Sequence, residues 1–306
     1  MPNYFAPIII PTLCRYEHFV RCVESLKKCK YADQTDIYIG VDYPSKEEHW
    51  DGYKRILHYL EKLNGFKTIN IIKREKNYGA FPNFADLFDL VFQKYDRLIA
   101  TEDDNEFSPN FLEYTNEGLE KFDTDPQIFA ICGYNYPITM PPNFTDDFYF
   151  WKGFSAWGYA TWRGKFQRYK RTYEEATGFL DNYTNVLNAK KYSDTYLPDI
   201  LKIAKTKHLT GDTLVCVHLI KSNMYCIFPS ISKVRNYGND GSGLHCLMDG
   251  RFISQEIDKR QSFEYRKIEN QENPDVNKVL RKYFHRDIFR RIYDYSKYIS
   301  YRLKIY

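Results

Sequence analysis

From residue 6 to residue 132, short apolar runs alternate with longer stretches of helical periodicity, and this alternation restricts the fold more than any other feature. The runs cover residues 6–10, 36–41, 68–72, 98–101 and 128–132. Each is dominated by apolar, largely β-branched residues and is too short for a buried helix, so each is expected to be a strand. The stretches between them, 17–28, 47–63, 83–95 and 110–122, read as helices. Phe19, Val23 and Leu26 share one face of the first, and Phe84, Leu87, Phe88 and Val91 one face of the third. Asn64-Gly65 is a good stop for the second. Strands alternating with helices of this length predict right-handed βαβ units and an α/β fold with a mainly parallel central sheet. In such sheets ligands bind outside the carboxyl ends of the strands, so chemistry is expected in the segments that follow each strand.

Beyond residue 132 the alternation fails. Residues 134–168 are rich in Pro, Gly and aromatics, 172–205 read as short helical pieces, 211–221 as a helix and 225–228 as a strand. A Gly-rich loop over 236–246 and a basic helical stretch near the end complete the chain. The expected organisation is an α/β half over 1–132, a second half over 133–250 and a basic helical extension over 251–306. A chain of 306 residues has ample length for such a core. A net charge of +4 is too small to argue for nucleic acid. Seven Cys without a C-x-x-C pair point to reduced thiols in a cytosolic setting, which makes the sequons at Asn143 and Asn182 chance matches. No signal peptide is visible, and no apolar run approaches the roughly 20 residues that span a bilayer. The expected location is therefore cytoplasmic, soluble or peripheral on the inner face of the cell membrane.

The sharpest chemical signal follows the fourth strand, where residues 98–100 lead into Glu102-Asp103-Asp104 and Ser108-Pro109 then opens a helical pattern. Three consecutive carboxylates at the end of a buried strand repel one another and resist desolvation. A hard divalent cation would relieve both penalties. An acidic turn ahead of a capping sequence is the other reading of the triplet. Asp42 ends the second strand, either to address a base or ribose or to initiate the turn Asp42-Tyr43-Pro44. Lys73, Arg74, Asn77, Gly79 and Asn83 follow the third. There a glycine permits close backbone approach, and a helix start offers N–H groups to a phosphate. Residues 150–162 hold three of the four Trp, as a sugar-stacking surface or a core plug. Asp212 is either the first-turn acid of helix 211–221 or a general base facing a cleft. His245 lies in the Gly-rich loop as a metal ligand or a solvated side chain. Residues 278–306 carry nine Lys/Arg against Asp287 and Asp294, with Phe284, Ile288, Ile292, Tyr295 and Ile299 at helical spacing. Such a helix lies on an anionic membrane or docks its apolar side on the domain.

Taken together these stretches resemble inverting nucleotide-sugar glycosyltransferases of the GT-A fold, near the N-acetylglucosaminyltransferase I group and bacterial family 2-like enzymes. The resemblance runs over roughly residues 6–246. It is carried in order by Ile8-Ile9-Ile10-Pro11-Thr12-Leu13-Cys14-Arg15, Asp42, Asn77-Tyr78-Gly79, Glu102-Asp103-Asp104 with Phe107-Ser108-Pro109, Trp157-Gly158, Asp212 and the 236–245 loop. It implies a Rossmann-like nucleotide-binding half and a smaller acceptor-side region. It also implies a divalent metal, Mn2+ or Mg2+, held by Asp104 with His245 completing its surroundings. Pro11, Thr12, Arg15, Asp42, Asn77, Gly79, Asn83, Glu102 and Asp103 would line the donor, probed by a UDP-sugar first. Trp157 and Gly158 would face the acceptor, a glycan or lipid-linked glycan, and Asp212 would be the catalytic base. The motif reads Glu-Asp-Asp rather than Asp-x-Asp, which agrees with the first-named group. Two alternatives stand beside it: a non-catalytic nucleotide-binding or membrane-adaptor protein of the same fold, and a sugar-phosphate nucleotidyltransferase. The latter is disfavoured by the absence of glycine in residues 11–15.

Overall fold

The computed structural model describes residues 4–241, 250–265 and 272–305. The chain runs β1 (Ile8–Thr12), α1 (Tyr16–Lys27), β2 (Asp36–Val41), α2 (Trp50–Leu60), β3 (Thr68–Lys73), α3 (Ala80–Phe92), β4 (Arg97–Ala100), β5 (Asn105–Phe107), α4 (Phe111–Lys121) and β6 (Ile128–Cys132). It continues with β7 (Phe148–Trp151), β8 (Tyr159–Trp162), α5 (Arg163–Phe166), α6 (Tyr173–Asp181), α7 (Tyr183–Lys190), α8 (Tyr196–Thr206) and α9 (Gly211–Lys221). Last come β9 (Tyr225–Pro229), β10 (Val234–Asn236), α10 (Gly250–Ile253), α11 (Pro274–Tyr283) and α12 (Ile288–Arg302). One sheet of eight strands holds the order β3-β2-β1-β4-β8-β6-β9-β7. β1 to β4, β6 and β9 run in one direction, while β8 and the edge strand β7 run in the other. The mainly parallel sheet flanked by helices is the architecture expected from the sequence.

The helices cover both faces because both faces of the central strands are apolar. Ile8 and Ile10 point to one side, against Phe19, Val23 and Leu26 of α1. Ile9 points to the other, against Leu87, Phe88 and Val91 of α3. The second face is extended by α6 to α9, and the first by the segment around Phe263 and Tyr265, of which Tyr265 stacks on Tyr114 of α4 and Phe263 meets it edge-on.

Some boundaries moved for identifiable reasons. β1 continues through Pro11 to Thr12 instead of stopping before them, because its pairing with β4 ends at Ile9 and a proline there breaks no ladder on that side. α3 starts at Ala80, with Pro82 in the first turn where its missing N–H is harmless. The aromatic stretch contains two unforeseen strands, β7 and β8, every residue of which is buried. A separate antiparallel ribbon pairs β5 with β10, placing Val234 opposite Phe107 and Asn236 opposite Asn105. That ribbon carries residues 236–241 onto the segment that follows β4.

Candidate functional site

Glu102, Asp103 and Asp104 turn the chain from β4 into β5, at the carboxyl edge of the sheet. Three other elements converge on them. Thr12, at the end of β1, donates its hydroxyl to Asp103 Oδ2 at 2.8 Å. Arg15, the residue ahead of α1, bridges Asp103 and Asp104, with Nη2 3.0 Å from Asp104 Oδ2. Asn236 of β10 donates Nδ2–H to Asp104 Oδ1 at 2.8 Å, and the Tyr237 N–H bonds the Asp104 carbonyl at 2.9 Å. Gly238 passes so close that a Cβ on it would lie 2.1 Å from Asp104 Oδ2, so no side chain fits there. His18 of α1 closes this corner, its Nε2 3.1 Å from Asp240 Oδ2.

The carboxylates share one electrostatic environment. Asp103 and Asp104 are each 6% exposed. Burial pushes the Glu102 carboxyl up to about 8, helped by the charges of Asp104, Asp212 and Asp103. Burial also raises Asp104, although Arg15 opposes the shift. Asp212, in the first turn of α9, is raised to about 6 by the protein packed around it, against a lowering hydrogen bond from the Ala156 backbone. It nevertheless keeps solvent access. Its charge contributes to raising Glu102, so the first turn of α9 lies near the acidic turn. The buried phenol of Tyr159 in β8 is pushed well up by burial and then by Asp212.

Whether this site suits a divalent cation can be judged from its donors. Among the described residues no three His, Cys, Asp or Glu side chains converge as a metal-holding group. Among the described residues, then, there is no all-protein cage. Yet three consecutive carboxylates share a single guanidinium, which bridges only the two aspartates, and burial with the neighbouring acids raises Glu102 and Asp104. A cation held by one or two carboxylates, with phosphate and water oxygens completing its shell, is the mode Mg2+ favours. The residues fit that mode.

The remaining expected residues fall into two groups. Asp42 is buried, and its carboxylate accepts from the N–H groups of Tyr43, Tyr78 and Gly79 and from Asn77 Nδ2, at 2.8–3.2 Å. It thus pins the loop after β3 and has little acceptor capacity left for a ligand. Gly79 there takes φ +82°, which that loop needs. Asn83 is also turned inward, 1% exposed, bonded to Gly40 and to Arg74. Both side chains are thus committed to holding neighbouring backbone and side chains. By contrast Pro11 and Trp157 are only half-buried. Trp157 meets Tyr134 and Phe252 edge-on, and Gly158 takes φ +68°. Trp151 and Trp162 are core residues, so the aromatic stretch is mostly a plug, with Trp157 as its outward part. His245 lies outside the described residues. His18 and Asn236 were not singled out from the sequence. Asn236 opens the turn-rich string Asn236-Tyr237-Gly238-Asn239-Asp240, the one signal that pointed toward it.

A separate polar cavity of about 500 Å³ opens at the amino ends of β6 and β9, lined by Gln127, Lys152, Tyr192, Asn223, Tyr225 and Glu272. It contains none of the carboxylates above.

No protein-family model and no curated protein matches the sequence. Among solved structures the chain is similar to the mannosyltransferase PcManGT from Pyrobaculum calidifontis in complex with GDP-Man and Mn2+, at 13% identity and a TM-score of 0.37, over 55% of this chain and 47% of that one. It is similar to S. aureus TarS at 14% identity and a TM-score of 0.32, over 47% and 24% of the two chains. For TarS 1-349 the figures are 13%, 0.35, 51% and 47%. The chain thus spans about half the length of PcManGT. Overlaps of this size carry no functional argument, so the chemistry has to be read from the site's own residues.

Proposed function

We propose that this chain is a metal-dependent inverting glycosyltransferase that moves a hexose or N-acetylhexosamine from a nucleoside-diphosphate donor, of the UDP-sugar class, to a hydroxyl of a free or lipid-linked glycan. What supports this reading is the convergence of Thr12, Arg15 and Asn236 on Asp103 and Asp104 at the carboxyl edge of the sheet, with Asp212 near enough for its charge to act on Glu102. In this reading the acidic turn takes the diphosphate with its cation and Asp212 is the proton acceptor. Direct displacement at an anomeric carbon requires those two roles on separate groups.

In this reading Asp104 is the metal-facing carboxylate, assisted by Glu102. Bound there, Mn2+ or Mg2+ would supply Lewis-acid neutralisation of the departing diphosphate. Arg15 and Thr12 hold Asp103 and Asp104 in place, and Pro11 and the loop pinned by Asp42 border the nucleotide. Trp157 and Gly158 border the acceptor. Asp212 takes the proton of the attacking hydroxyl onto a carboxylate oxygen. With its carboxyl near 6 it is mostly ionised at neutral pH, yet basic enough to receive that proton.

Asp212→Asn tests the assignment. Donor binding in the presence of Mn2+ should stay close to wild type while transfer falls by about 10²- to 10⁴-fold. The wild-type rate should climb with pH up to about 6 and then level, and the variant should lose that limb. A variant that transfers sugar at near the wild-type rate removes Asp212 as the base.

A further inference from the structure

Helix α12 is held to the body by its polar side. Tyr298 donates its hydroxyl to the Leu180 carbonyl at 2.9 Å, and Arg302 Nη1 donates to the Asp181 carbonyl at 2.7 Å. The buried Asp294 pairs with Arg286 at 3.0 Å, and Arg291 lies 3.7 Å from Asp194. The opposite side is apolar and open. Ile288, Phe289, Ile292, Tyr293, Ile299 and Leu303 are between 55% and 80% exposed. At about 100° per residue these six fill an arc of about 140°, interrupted only by Ser296 and Ser300. Arg290 and Lys297, two turns apart, border one edge, Arg302 borders the other, and Lys304 follows the last turn.

We propose that this face of α12 docks on the surface of an anionic lipid bilayer, with the helix lying in the plane of the interface. A continuous apolar arc on a folded protein marks an interaction surface, and an apolar arc with basic borders is the pattern of interfacial helices. The charge balance selects the occupant. Both acids in the region are already engaged, Asp287 as the cap of α12 and with Arg290 at 3.2 Å, and Asp294 with Arg286, which leaves Arg302 and Lys304 without an acid of this helix beside them. The borders therefore present net positive charge to whatever covers the arc. A second copy packed on the same face would set these basic borders against each other. An anionic lipid surface offers an apolar interior and opposite charge together. No helix among the described residues is long and apolar enough to cross a membrane, which agrees with a helix that lies flat. The proposal is independent of the donor chemistry.

The test is co-sedimentation of the full chain with vesicles of equimolar phosphatidylcholine and phosphatidylglycerol, against phosphatidylcholine alone. The chain should pellet with the anionic vesicles at low salt and be largely released at about 0.5 M salt. Phe289→Ser/Ile292→Ser/Ile299→Ser should lower the partition coefficient at least about tenfold. Arg290→Gln/Lys297→Gln/Lys304→Gln should weaken binding and flatten its salt dependence. All the substituted side chains are exposed except the half-buried Lys297, so thermal midpoints should stay close to the wild-type value and show that both variants fold. Recovery of the wild type in the supernatant with anionic vesicles at low salt overturns the proposal. So does an apolar triple variant that binds as the wild type does. A dimer that the apolar substitutions dissociate, without vesicle binding by either form, assigns the face to a second copy instead.

Discussion

Arg15 lets Asp103 and Asp104 stay buried side by side, whereas Glu102 feels it only as a weaker, opposing charge. Its carboxyl is raised from 4.5 to about 8 by burial and by three neighbouring acids. A carboxyl raised on folding holds a proton that the unfolded chain has released. Its contribution is thus fully present below about 4.5 and is lost as pH rises toward 8. The metal-free protein should therefore lose thermal stability between pH 6 and pH 8. Glu102→Gln should raise the midpoint at pH 8 by a few degrees, on the order of 2–4 °C, and flatten the profile. Mn2+ should raise the wild-type midpoint most at pH 8, where the proton it displaces is most weakly held. Scanning fluorimetry across this range decides the matter, and identical profiles for the two proteins would remove Glu102 as the source. The acidic triplet was legible because three adjacent carboxylates after a buried run have few structural uses. Asn236 and His18 were not, because a polar residue reveals a role at this distance only once pairing of β10 with β5 and the start of α1 bring it to Asp104.

At the level of elements, the segment from residue 254 to 265 is fastened across the back of the β5–β10 ribbon. Lys233 and Asp258, 0% and 3% exposed, form a buried ion pair there, and Arg260 Nη2 reaches Asp258 Oδ2 at 2.7 Å. Burial pushes the Asp258 carboxyl up, but hydrogen bonds from Arg260 and Lys233 outweigh it and hold the group well below the usual carboxylate range. Lys233→Met should destabilise the fold by about 3 kcal/mol, the low end for breaking a buried pair, because Arg260 remains. Adding Asp258→Leu should recover most of that loss. Urea unfolding of the single and double variants gives both numbers, and a neutral single variant would show that Arg260 alone suffices. β1 to β4 and β6 were readable from periodicity. β7 and β8 were not, because strands buried on every residue show no alternation, and Phe148 to Trp151 looks the same as a core plug. The stripe on α12 was equally visible, but spacing says only that a helix has two faces. Which one meets the body was settled by Tyr298, Asp294 and Arg302.

For the whole molecule, the site owes its shape to elements far apart in the chain. The acids follow β4, their partners come from β1, the start of α1 and β10, and the Asp212 charge that acts on Glu102 begins α9. The alternating α/β part and the irregular remainder therefore both contribute to the surroundings of the acids. Composition separated them, whereas their joint contribution to the site is a matter of long-range pairing that no local pattern encodes. β8 has a consequence for how the protein is made. It pairs with β4 on one side and β6 on the other, and β6 has only β8 and β9 as neighbours. A ribosome that has released residues 1–132 has therefore delivered β6 with no partner strand and β4 with an open apolar edge. Such edges recruit strands from other chains. Residues 1–132 expressed alone should aggregate or melt without a cooperative transition, and supplying residues 133–306 in the same cell should rescue some of the material. A soluble fragment with a sharp transition of its own would contradict this. The nascent chain must wait, exposed, for a four-residue strand made about sixty residues after the edge it closes.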